Sequence, residues 1–128
     1  MREIKFRAWD KLNKKMIVDE DNLLINLSGD VVKVWDDGEW ANTINGLNYI
    51  LMQYTGLNDK NGKEIWEGDV VEFYYLGTHR DVVRYIVDGF KVNTTGHTDD
   101  VKTELCLGFP FREMEIIGNV WENPNLIK

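Results

Sequence analysis

The chain has 128 residues, 43% hydrophobic and 29% charged, with a formal net charge of -7 at pH 7. That length and balance are far from the low-hydrophobicity signature of a disordered chain and leave room for one compact domain, or a small barrel with an extra β-layer. The acidic total argues against tight binding to nucleic acid through phosphates, and no apolar run reaches the ~20 residues that span a bilayer as a helix.

The opening residues alternate, with Ile4, Phe6 and Ala8 on one face of an expected strand and Lys5, Arg7 and Trp9 on the other. Asp10 to Lys15 reads as a turn, from which Met16-Ile17-Val18 returns antiparallel. Leu23 to Leu27 and Val31 to Trp35, joined around Gly29, predict a second hairpin. Asp36-Asp37-Gly38 ends that strand. Residues 41–48 show neither period and are expected to be a loop or a short helical turn.

Tyr49 to Thr55 is a predicted strand, followed by a turn over Asn58 to Gly62 in which Asn61-Gly62 suits a type I′ geometry. Lys63 to Trp66 and Val70 to Leu76 are the next strands, separated by Glu67-Gly68-Asp69. Val82 to Asp88 and Phe90 to Thr94 predict another hairpin about Gly89. Residues 99–108 fit either a capped helical turn or a strand, and the alternation of Val101, Thr103, Leu105 and Leu107 favours the strand. Met114 to Trp121 closes the series with a bulge at Gly118, and Asn123-Pro124 turns the chain into a Leu126-Ile127 contact. Nine or ten short strands at this spacing predict a barrel or sandwich.

No constellation for chemistry stands out. The single serine, Ser28, lies in a predicted turn, and the phosphate-loop, dinucleotide and zinc-protease motifs are all missing. His79 and His97 sit among Gly and Thr and read as solvated loop residues. Asn58 to Gly62 resembles a calcium loop only superficially. Setting Gly62 at the sixth position of an EF-hand loop leaves Leu57 at the first, without a side-chain oxygen. No catalytic residue, metal site or cofactor is expected, and an enzyme built from Asp69, His79 and His97 ranks last.

The lone Cys106 has no disulfide partner in the chain and is expected to pack, which with the charged start fits a cytoplasmic protein. Charge is unevenly spread. Residues 1–15 carry six basic and two acidic groups, so this arm is +4 and the remainder is -11. Five tryptophans are expected to be core or interface anchors. Two uses of the arm follow: packing on the acidic body of its own or a neighbouring chain, or stacking on nucleic acid through Lys5, Arg7 and Trp9.

Three stretches carry a family resemblance. Gln53 to Val71 (QYTGLNDKNGKEIWEGDVV) closely resembles the YopX family, proteins encoded mainly by bacteriophages and prophages. Arg2 to Asp10 (REIKFRAWD) is similar to the family's opening and Ile117 to Leu126 (IGNVWENPNL) to its close. The region from about Tyr74 to Glu113 is least typical. The resemblance implies an SH3-like β-barrel and brings no catalytic residues. The chain is therefore expected to be mainly β, with an N-terminal β-layer over residues 1–46 and a barrel over 47–128. The expected role is that of a phage accessory protein that associates with itself or with another phage or host protein.

Overall fold

A computed structural model describes residues 3–18, 22–36, 38–43, 48–74, 77–86, 89–93, 104–106 and 113–127. The chain is mainly β: the described residues form thirteen strands, with a 3-10 helix at Pro124–Ile127. The chain divides into two compact units inside a strand, between Gln53 and Tyr54.

In the N-terminal unit, β1 (Phe6–Asp10) pairs with β2 (Lys15–Ile17) on one side and with β6 (Tyr49–Asn58) on the other, both antiparallel. The turn between β1 and β2 is organised by Asp10. Its carboxylate accepts the backbone N–H groups of Leu12 and Asn13 at 3.0 and 3.1 Å and the Asn13 side-chain amide at 2.8 Å. Asp10 is buried while the residues it holds are exposed, so water replaces the lost acceptors when the carboxylate is removed. Asp10→Ala is therefore expected to cost only about 1 kcal/mol, measured as a small loss in denaturant midpoint.

A second sheet has the order β3 (Leu23–Ile25), β4 (Val31–Asp36), β5 (Glu39–Asn42). The link from β3 to β4 closes on Asn26, whose side-chain oxygen accepts from Ser28 and Asp30, with Gly29 at φ 85°. Both sheets contribute to one core of Ala8, Ile17, Leu23, Val31 and Val34, against which Tyr49 and Leu51 pack. The segment expected as loop from residue 41 begins instead as strand, since β5 runs to Asn42. The hairpin signal was Asp37-Gly38 between Trp35 and Trp40, and those two tryptophans are cross-strand partners. Residues 44–47 lie outside the described residues.

β6 is longer than its alternation suggests. It continues through Gly56, at φ 88°, to Asn58, and its pairing with β7 (Glu64–Trp66) shifts register between Tyr54 and Asn58. The turn that follows is not type I′, because only Gly62 has positive φ there. Gly62 N–H donates to the Asp59 carbonyl at 3.0 Å and Asp59 N–H to the Lys63 carbonyl at 2.8 Å. That is a type I turn ending in a left-handed glycine, so Asn61 is spared the unfavourable conformation.

In the C-terminal unit, β8 (Asp69–Tyr74) is central between β13 (Glu115–Asn119) and β9 (Thr78–Val82). The bulge expected at Gly118 is present, since Ile116 pairs with Val71 and Gly118 with Val70. β10 (Arg84–Ile86) and β11 (Gly89–Asn93) form the hairpin expected about Gly89, and β12 (Glu104–Cys106) adds to β11 as a strand. The side chain of Cys106 lies outside the described residues. Ile65, Val71, Phe73, Val83, Val92 and Met114 make the core of this unit. Burial of each is worth roughly 1.5–3 kcal/mol relative to exposure.

β9, like β5, is not legible in the alternation of the sequence. Thr78-His79-Arg80-Asp81 is polar throughout, yet it pairs residue for residue with β8, Phe73 opposite His79 and Glu72 opposite Arg80. The Arg80–Glu72 ion pair at 2.9 Å crosses the two strands.

Candidate functional site

Lys5, Arg7 and Trp9 do not form an open stacking surface. Trp9 and Arg7 are each 7% exposed, in a strand whose other face carries Ala8 into the core. Lys5 lies just before β1, with its Nζ 3.1 Å from a Glu3 carboxylate oxygen. Alternation along β1 correctly separates Ala8 from Arg7 and Trp9, but both faces of the strand are covered. Among the described residues the exposed basic groups of the arm are Lys11, Lys14 and Lys15, in and beside the turn held by Asp10. Leu12, 74% exposed, is at the same turn.

The histidine reading needs correction as well. His79 is buried at 5% exposure, its ring 5.6 Å from that of Phe73. A strand neighbour of high apolar area gives the imidazole ring a packing partner where the flanking sequence suggests a loop. Asp69, at the start of β8, accepts the Trp66 N–H at 2.8 Å and shapes the turn through Gly68. It lies four strand residues from Phe73, the partner of His79, or about 13 Å at the usual rise. Asp69 and His79 are therefore not brought together, and His97 lies outside the described residues.

The turn that superficially resembles a calcium loop uses its carboxylate on backbone. Asp59 is buried, and it accepts the N–H groups of Asn61 and Lys63 at 2.9 Å each and of Ile116 at 3.0 Å. Burial raises its pKa, but the bonds from Ile116, Lys63 and Asn61, with the Lys63 charge, outweigh that and hold it below the ordinary aspartate value. Among the described residues no group of three His, Cys, Asp or Glu side chains is placed to hold a metal ion. A cleft of about 120 Å³ is bordered by Phe73, Tyr74, Lys60, Glu72 and Glu115. Two of its carboxylates are already paired, Glu115 with Lys60 at 3.4 Å and Glu72 with Arg80.

A different surface carries apolar area. Trp9 and Trp66 are buried, but Trp35 and Trp40 are 43% and 38% exposed. Their rings meet edge to face, centroids 5.4 Å apart, on the side of the β3-β4-β5 sheet opposite Val34. Leu24, 43% exposed, belongs to the same side, beside Lys33. All four residues of β5 are exposed, and among the described residues β5 pairs only with β4.

These features define a two-unit, mainly β protein that exposes an aromatic sheet surface beside a strand edge. The chain belongs to the YopX family, matching the family described as YopX protein over residues 5–128. Two solved structures are similar along essentially their whole length. Protein EF1440 from Enterococcus faecalis is 27% identical with a TM-score of 0.61, covering 100% of both chains. Protein YopX from Bacillus subtilis is 21% identical with a TM-score of 0.69, covering 100% of this chain and 98% of the other. A search of the curated proteins finds no match. No helix among the described residues is long and apolar enough to cross a membrane.

Proposed function

We propose that the chain is a non-enzymatic, self-associating protein-binding module that serves as an accessory protein of a phage or prophage in the cytoplasm of a bacterial host. The observation that carries the reading is the exposed Trp35–Trp40 pair on and beside β5, all four residues of which are exposed. Tryptophan is costly to leave in water and is enriched among the residues that anchor protein contacts. The C-terminal unit is read as an SH3-type barrel, supported by its short antiparallel strands and the bulge at Gly118. Small barrels host many binding roles, so the barrel itself carries no specific activity.

The test is sedimentation of the purified chain across a concentration series. The expected result is a concentration-dependent oligomer that Trp40→Ala weakens while the melting temperature stays within a few degrees, because Trp40 is outside the core. A strict monomer at every concentration and salt overturns the reading.

A second reading, a nucleic-acid-binding module, is favoured by the exposed Lys11, Lys14 and Lys15 rather than by the buried Arg7 and Trp9. It predicts salt-sensitive binding of labelled single strands that is lost in the Lys11→Glu, Lys14→Glu, Lys15→Glu variant. No binding at low salt removes it.

A further inference from the structure

Among the described residues the outermost strands of the N-terminal unit are β2, β3 and β5. A strand edge is a row of unpaired N–H and C=O groups, and proteins that stay monomeric interrupt it with lysines, bulges or proline. β2 carries Lys15 beside the lysine-bearing turn, and β3 is only three residues long, its ladder interrupted by the extra residue Val32 on β4. β5, Glu39-Trp40-Ala41-Asn42, has regular pairing with β4 and, apart from Glu39 at its start, none of these devices. It is the flat edge of the three.

The direction of its hydrogen bonds can be assigned. Thr43 N–H donates to the Val32 carbonyl at 3.0 Å, in the same register that pairs Lys33 with Asn42 and Val34 with Ala41. Backbone groups alternate along an antiparallel strand, so the N–H and C=O of Ala41 turn toward β4. Those of Trp40 and Asn42 turn away. The outward edge thus offers two donors and two acceptors, spaced symmetrically about Ala41.

We infer that β5 pairs antiparallel with β5 of a second copy about a two-fold axis at Ala41, joining the two β3-β4-β5 sheets into one six-stranded sheet. This rests on the self-association reading and names its contact. In that register Trp40 forms a hydrogen-bonded pair with the partner's Asn42, and Asn42 with the partner's Trp40, which uses all four outward groups. Centring on Trp40 would instead require Gly38, whose φ of 87° belongs to the turn rather than the strand. Opposed residues share a face, so Trp40 keeps to the outer side and lies beside the partner's Asn42, with the partner's Lys33 one strand further. A cation can lie over an indole ring in that row. Glu39 meets the partner's Thr43, so no like charges face each other. Ala41 opposes its own copy, and its small side chain suits a close non-hydrogen-bonded pair, Cα atoms about 4.5 Å apart.

That spacing is within disulfide reach, which supplies the test in the full chain. Ala41→Cys is expected to form a disulfide between positions 41 of two chains on mild oxidation, located by peptide mass mapping so that Cys106 is told apart. Glu39→Cys is expected to form none, because the two positions 39 lie four residues out of register, about 13 Å. Asn42→Pro removes an outward N–H without touching the β4 ladder, and circular dichroism checks its folding. It should raise the dimer dissociation constant about tenfold or more, since two symmetric hydrogen bonds are lost.

An oligomer that persists in Asn42→Pro and links no better through position 41 than through 39 overturns this contact while leaving self-association standing. A chain that is monomeric at every concentration overturns both. Should Asn42→Pro fail to fold, the comparison of the two cysteine variants decides alone.

Discussion

Replacing Asp59 with alanine is expected to destabilise the C-terminal unit by about 3 kcal/mol, because three backbone donors lose one acceptor group together. Its carboxylate links two places far apart in sequence. Asn61 and Lys63 belong to its own turn, whereas Ile116 is on β13. The Lys60 N–H bond to the Met114 carbonyl at 2.9 Å reinforces the same junction. Asn61 and Lys63 are exposed, as are the residues held by Asp10, but Ile116 is half-buried and Met114 beside it is 1% exposed, so this third donor has little access to replacement water. For a unit of this size the loss corresponds to a fall in melting temperature on the order of 10–20 °C.

Asp59→Asn should cost less than alanine. It keeps an oxygen for Asn61 and Lys63 but points an amide N–H at the Ile116 donor. The lowered pKa sets the pH dependence. The unfolded chain binds this proton more readily than the folded one, so stability rises with pH through this range. The contribution of Asp59 is complete above its unfolded pKa of about 4 and is lost as pH falls through the lower folded value. Urea titrations at pH 2 to 6 should show this acid-side loss in the native protein and a shallower one in Asp59→Asn. Equal slopes in the two proteins, or an alanine variant as stable as the native chain, would refute the role given to this carboxylate.

The contrast between Asp59 and Asp10 marks how far sequence reading reaches. Both are turn aspartates followed by polar residues, and both turns were legible from composition. Nothing in the chain near Asp59 reveals that Ile116, 57 residues away, delivers the third bond. Alternation likewise placed Arg7 and Trp9 opposite Ala8, because that is a property of one strand. Whether the second face is covered depends on what packs over it, and β1 is buried on both. The neighbours of His79 suggest a loop, but local polarity is a poor guide when a cross-strand Phe73 supplies the apolar surface. Glycine turns transferred in part: φ near +85° at Gly29, Gly62 and Gly68 is a local demand, whereas the type I′ geometry expected at Asn61-Gly62 is not formed. The aromatic surface was half legible: five tryptophans announced contact anchors, but only pairing across β4 and β5 shows which two face outward.

Gly118→Ala is the second substitution expected to have a large effect, again about 2–3 kcal/mol, through crowding rather than a lost acceptor. A Cβ at this position would lie 2.5 Å from Asn123 Oδ1 and 2.7 Å from Leu126 Cδ1. Asn123 cannot simply swing aside. Its side-chain oxygen accepts the Asn119 N–H at 3.2 Å and its own N–H donates to the Asn119 carbonyl at 2.8 Å. Asn119 in turn accepts from Trp121 and Glu122. Leu126 N–H donates to the Asn123 carbonyl, which ties the 3-10 helix to the same cluster. The methyl group would therefore loosen β13 at its bulge and the terminal helix together. Hydrogen exchange should quicken at Asn119, Asn123 and Leu126 before it quickens at Val71 or Phe73. Adding Asn123→Ala removes one of the two crowding partners, so the double variant should lose less than the sum of the single losses. Strict additivity would mean that the two sites do not touch, contrary to the close approach at the bulge.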